Sequence, residues 1–164
     1  LRETCGLFRT VALEELAAVG GLEVDELLVD HAAMRVAAAP DAFDVIVTTN
    51  LFGDILSDVA ALAGGGLGLA TSANLGAPDA CALFEPVHGS APDLAGRNLA
   101  NPTATLGAVA WLLEHLGRIA EAQRLRTAIE DTLAHGPWTP DLSGTATTGE
   151  VTDAIHERLA ARVG

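Results

Sequence analysis

Apolar residues recur at helical spacing near the start of the chain: Leu7, Val11 and Leu16, with Phe8, Ala12 and Leu13 beside them, predict a helix over residues 3–18, which Gly20-Gly21 closes. The pattern then changes period. Residues 23–29 predict a strand ending at Asp30, and residues 31–39 a short helix closed by Pro40. The continuous, β-branched run FDVIVT over 43–48 predicts a buried strand. Residues 50–53 read as a turn and 54–62 as a helix ended by Gly64-Gly65-Gly66.

Short strands are predicted over 67–70 and 82–84, with a polar, turn-like stretch over 72–80 between them. A long loop, EPVHGSAPDLAGRNLANP, fills residues 85–102. Loops of that length inside compact proteins are usually functional. Helices over 103–116 and 119–135, a loop over 137–149 and a closing helix over 150–162 complete the chain. Strands alternating with helices imply an α/β protein.

The 164 residues suffice for one domain with a core, or for pieces of two. Hydrophobic residues at 49% and charged residues at 19% place the chain among folding sequences. No apolar run reaches the ~18–20 residues that span a bilayer, so no membrane partner is expected. The opening LRETCGLFRTVALEE has no secretory pattern. It lacks an initiator methionine and starts inside a helix, so the natural chain is expected to begin upstream. Nine Lys+Arg against 22 Asp+Glu give a net charge of −13, which argues against a nucleic-acid partner. Cys5 and Cys81 lack metal-ligand spacing and read as reduced thiols of a cytoplasmic protein.

Three carboxylates draw attention. In NLFGDILSD, Asp54 and Asp58 stand at i and i+4, on one face of a helix. Like charges so placed repel by about a few tenths of a kcal/mol, and a cation between them reverses the sign. Asp30 sits at a predicted strand end, a common place for functional groups in α/β proteins. Oxygen ligands without His or Cys suit Mg²⁺ or Mn²⁺. The alternative is a solvated helix face with Asp54 in the first turn, and spacing alone favours it.

The long loop contains no GxGxxG fingerprint, but its chemistry suits a nucleotide. Gly89, Ala91 and Gly96 allow close approach to the backbone. His88 and Asn101 can hydrogen-bond a base or an amide, and Asp93 can accept from ribose hydroxyls. An ordinary surface loop with a structural His88 is the alternative.

Taken together, NLFGDILSD, GGLGLATSANLG, FEPVHGSAPDLAGRNLANPTATLGA and TPDLSGTATTGEVTDAI resemble, in order and over nearly the whole chain, the β-hydroxyacid oxidative decarboxylases. That family comprises the isopropylmalate, isocitrate, homoisocitrate and tartrate dehydrogenases. The resemblance implies the C-terminal half of an isopropylmalate dehydrogenase-like two-domain α/β fold. Residues 1–65 would end the smaller, dimer-forming domain and 66–164 the larger, NAD-binding domain, with an N-terminal half lying upstream. It implies Mg²⁺ or Mn²⁺ on Asp30, Asp54 and Asp58, the first reaching the site from a partner subunit of a homodimer or higher oligomer. It implies NAD on His88, Gly89, Ser90, Ala91, Pro92, Asp93 and Asn101, with Glu85 beside the nicotinamide and Asp141 at the adenine end. Asp93-Leu94 stands where NADP-using relatives carry Lys-Tyr, which favours NAD.

The implied activity is oxidative decarboxylation of a hydroxy-di- or tricarboxylate, such as 3-isopropylmalate, isocitrate or homoisocitrate, within amino-acid biosynthesis. The family's general base is a lysine and its general acid a tyrosine. This chain has no tyrosine; the lysine is expected just upstream of Leu1, as are the arginines that clamp the substrate. His31, Thr71 and Cys5 depart from the family's usual residues without removing a ligand. Two other readings follow from the same residues: a non-catalytic regulatory subunit of a heteromeric dehydrogenase, and an inactive fragment.

Overall fold

A computed structural model describes residues 2–77 and 80–161. The chain divides into two compact units, one up to Ala63 and one from Gly64 onward.

The first unit is built of three α-helices: α1 (Arg2–Val19), α2 (Val29–Ala38) and α3 (Asn50–Ala63). Alanine-rich α2 packs against α3, burying Ala32, Val36 and Leu56. No described side chain of α1 is buried; Leu7 is 73% exposed. Arg9 of α1 donates to Glu26, with Nη2 2.8 Å from Oε1. Arg35 lies 5.1 Å from the Phe43 ring centroid.

The two strands expected in this unit do not form. Residues 23–28 and 43–48 have no strand pairing, Val29 already belongs to α2, and Val45 is 78% exposed. A strand exists only through a ladder with a neighbour, and among the described residues of this unit no segment pairs with either. The third helix begins four residues earlier than expected. Its first turn opens with the Gly53 amide donating to the Thr49 carbonyl at 2.8 Å, so residues 50–53 are helical rather than a turn.

The second unit holds the sheet seen among the described residues, an antiparallel pair of β1 (Thr71–Asn74) and β2 (Leu83–Pro86), with Thr71 opposite Pro86 and Asn74 opposite Leu83. The expected strand over 67–70 is instead a pair of turns, closed by the Leu69 amide on the Gly66 carbonyl and the Ala70 amide on that of Leu67. Gly65 and Gly66 take φ values of 98° and 108°, which bend the chain before the strand begins. Helices α4 (Thr103–His115), α5 (Ile119–His135) and α6 (Thr148–Ala160) enclose the core of Ala110, Leu125, Ala128, Ile129, Val151 and Ile155. The hairpin packs on α4, where Gly107 leaves room for Thr71: a Cβ there would lie 2.7 Å from Thr71 Cγ2.

The sixth helix starts two residues before the expected 150. Thr147 caps it, its side chain accepting from the Glu150 amide while Glu150 accepts from the Thr147 amide at 2.8 Å. The expected end at Arg162, and Pro78-Asp79 of the polar stretch, lie outside the described residues. No described helix is long and apolar enough to cross a membrane.

Candidate functional site

The long loop leaves β2 at Pro86 and returns to helix at Thr103. It is a chain of turns rather than a free strap. Leu94 donates to the Ala91 carbonyl at 2.9 Å and Arg97 to the Leu94 carbonyl at 3.1 Å. Arg97 Nη1 reaches the Asp93 carbonyl at 3.4 Å. Ala91 sits at φ 39°, a conformation that strains a residue with a Cβ. His88 Nδ1 lies 3.1 Å from the Gly89 carbonyl oxygen; the Nδ1-protonated tautomer donates there and leaves Nε2 as an acceptor. Gly89, Ser90, Ala91, Pro92 and Asp93 are all exposed, and Glu85 projects from β2 into solvent.

The loop's far end is fixed by a polar junction. Asn101 is only 8% exposed. Its Nδ2 donates to Asp141 Oδ2 at 3.1 Å, and its Oδ1 accepts from the Thr103 amide at 3.0 Å. Asp141 lies in a short 3-10 helix, Pro140–Leu142. Gly68 closes the junction from the other side, its carbonyl accepting from the Ala104 amide at 3.1 Å. A Cβ on Gly68 would stand 2.5 Å from Asp141 Oδ2 and 3.3 Å from Asn101 Cβ. Residues from three separate stretches of sequence thus meet at one point, and the buried amide that joins them is satisfied at both ends, as burial demands.

In the first unit, α3 carries Asp54 and Asp58 one turn apart, both exposed. Asp54 Oδ2 accepts from Asn50 Nδ2 at 3.2 Å. Asp30 opens α2, its Oδ1 accepting from the His31 amide at 2.9 Å. Among the described residues no group of three His, Cys, Asp or Glu side chains stands close enough to hold a metal ion. The pair on α3 still fits a hard cation. Mg²⁺ is commonly held by one or two carboxylates, with water and substrate completing its shell.

The model of the isocitrate/isopropylmalate dehydrogenases matches residues 1–155. The chain belongs to that family. Its fold is accordingly the α/β fold of the family's C-terminal portion. It is 50% identical over 95% of its length to an isocitrate/homoisocitrate dehydrogenase of Thermus thermophilus, and 45% identical over 97% to a 3-isopropylmalate dehydrogenase of Archaeoglobus fulgidus. Among solved structures, an isocitrate dehydrogenase from Methylococcus capsulatus superposes with a TM-score of 0.89 at 45% identity, covering 95% of this chain and 46% of that one. The chain spans about half the length of the curated relatives it matches, 46% and 48% in the two cases.

Of the residues singled out in the sequence, the structure joins Asn101 directly to Asp141. It places His88 through Asp93 on one loop, whose hydrogen-bonded turns begin at Ala91, and it sets Asp54 and Asp58 on one helix. It does not gather Asp30 with that pair into a three-ligand group. Sequence reasoning missed Gly68 and the cap formed by Thr147 and Glu150. The first lay inside the stretch 67–70 that reads as a short strand. The second was visible as the T-x-x-E pattern of a capping box.

Proposed function

We propose that this chain supplies the metal and NAD portions of a decarboxylating dehydrogenase. The reaction oxidises the hydroxyl of a 2-hydroxy acid bearing a 3-carboxyl group and releases that carboxyl as carbon dioxide, in the cytoplasm. The observation that carries the reading is the Gly68–Asn101–Asp141 junction. It anchors a glycine-containing loop whose exposed face offers the donors and acceptors a dinucleotide needs.

In this reading Asp54 and Asp58 hold Mg²⁺ or Mn²⁺, and Asp30 completes the set across a subunit boundary. His88, Gly89, Ser90, Ala91, Pro92 and Asn101 line the cofactor. Asp93 accepts from the ribose hydroxyls, Glu85 flanks the nicotinamide and Asp141 faces the adenine end. When bound, the cation and NAD supply Lewis-acid polarisation of the substrate hydroxyl and a hydride acceptor. The chain's own residues bind and orient; the proton transfers fall to groups outside it. The chain contains neither tyrosine nor lysine, all nine of its cationic side chains being arginines. At a net charge of −13 it is a poor solitary host for a polycarboxylate. We therefore assign activity to an assembly with the complementary half of the dehydrogenase. In that assembly the first unit belongs to a smaller, dimer-forming domain and the second to a larger, cofactor-binding domain.

The test is formation of reduced nicotinamide by the complete protein with 3-isopropylmalate, isocitrate, homoisocitrate and tartrate in turn, each with Mg²⁺ and with EDTA. Cation-dependent reduction with one of them is the expected result and identifies the substrate. No reduction with any would overturn the reading in favour of a regulatory subunit.

A further inference from the structure

The first amides of an α-helix have no partner within the helix. In α6 the first two are answered from across the chain by one residue. The Thr148 amide donates to the Asn98 carbonyl at 2.9 Å, and the Gly149 amide to Asn98 Oδ1 at 3.3 Å. The Thr148 hydroxyl then donates to the Ala100 carbonyl at 2.6 Å. Asn98 accomplishes this at φ 55°, in the left-handed region that asparagine tolerates better than most residues. The position therefore asks for two properties at once, a left-handed backbone and a short side-chain acceptor, and asparagine has both.

We infer that Asn98 and Thr148 are positioning residues for the nucleotide loop. The tie ends one residue before Asn101, whose buried amide carries the junction to Asp141. Orienting the Ala100 carbonyl sets the direction in which the chain enters that junction. The other end of the tied segment runs back through Arg97 and Leu94 to Ala91, each turn closed by a backbone hydrogen bond. Helix α6, whose Val151 and Ile155 are core residues, thus acts as the rigid post from which residues 91–101 hang. The loop has no regular ladder of its own, so its preorganisation for NAD depends on this post.

The inference rests on the proposed NAD reading, and the experiment separates the two. In the complete protein, Thr148→Val removes the hydroxyl while keeping shape, and Asn98→Gly removes the acceptor while keeping the left-handed backbone. Each is expected to raise the KM for NAD by about three- to tenfold, the range of one lost hydrogen bond. The kcat and the KM for the hydroxy acid should hold, and hydrogen exchange at residues 97–101 should quicken. Thr148→Ser and Asn98→Asp, which restore the hydroxyl and the acceptor, should recover the parent KM. A KM for NAD unmoved in both Thr148→Val and Asn98→Gly, even with a lowered melting temperature, would make the tie structural only and overturn the inference. A parent protein that binds no NAD at all would overturn the nucleotide reading and take this inference with it.

Discussion

Asn101 and Asp141, forty positions apart in the chain, are joined by a 3.1 Å hydrogen bond beside Gly68, where a Cβ would stand 2.5 Å from the accepting carboxylate oxygen. The carboxylate of Asp141 occupies the space a Cβ on residue 68 would need. Gly68→Ala should therefore push the exposed Asp141 carboxylate aside and leave the buried Asn101 amide without its acceptor, at a cost of about 1–3 kcal/mol. Affinity for NAD should fall roughly tenfold with it. Calorimetric titration of the variant with NAD checks this, and an unchanged affinity would separate Asp141 from the cofactor.

The exposed pair on α3 makes a separate prediction. In the proposed reading, Asp54→Asn and Asp58→Asn each remove a charge that holds the divalent cation, while leaving the helix face polar. Turnover in either variant should drop to the level the parent shows in EDTA, with the melting temperature of the metal-free protein unchanged or slightly raised by relief of the like-charge repulsion. Full Mg²⁺-dependent turnover in Asp54→Asn would remove that residue from the metal site.

Cofactor choice can be probed at one exposed position. In the proposed reading Asp93 accepts from the ribose hydroxyls, where its charge would repel a 2′-phosphate. Asp93→Lys should weaken NAD by about ten- to a hundredfold, the range of one hydrogen bond to a charged group, and improve NADP. The ratio of kcat/KM for the two cofactors measures it directly.

The cap of α6 should confer a pH dependence on stability. Hydrogen bonds from the Thr147 amide and then its hydroxyl hold the Glu150 carboxyl below its ordinary value of 4.5. A lowered carboxylate favours the folded state above the unfolded-state value and loses that contribution as pH falls through the folded one. The parent and Glu150→Gln should therefore differ in melting temperature near neutrality and converge in acid below about pH 4.5. Parallel melting curves at every pH would remove Glu150 from the cap.

The helices were the part of the fold the sequence disclosed best. The α5 expected over 119–135 and the α4 expected over 103–116 match Ile119–His135 and Thr103–His115. Their boundaries are local chemistry, with Pro102, Gly117 and Gly136 punctuating the chain. Strands are another matter, because pairing is not a local property. FDVIVT, five of whose six residues favour strands, forms none here. TSAN, with little β preference, becomes β1 because Leu83–Pro86 lies alongside it. The candidate site divides the same way. His88, Asp93, Asn101 and Asp141 are chemically conspicuous and stand out in sequence. Gly68 matters only for what it lacks, and its role needs the two side chains brought to it from positions 101 and 141. The capping box at 147–150 is written in the residues but straddles the expected boundary between a loop over 137–149 and a helix from 150.

The start of α6 also bears on where phosphate can go. Helix N-termini commonly receive anions because their leading amides point outward unanswered. In α6 those amides already face the Asn98 carbonyl, the Asn98 side chain and the Thr147 hydroxyl, and the Glu150 carboxylate stands over them. This terminus is closed to a pyrophosphate, both by occupancy and by charge. A dinucleotide resting on the adjoining loop would have to place its negative charge against the backbone of the turns themselves, on the side facing away from the helix.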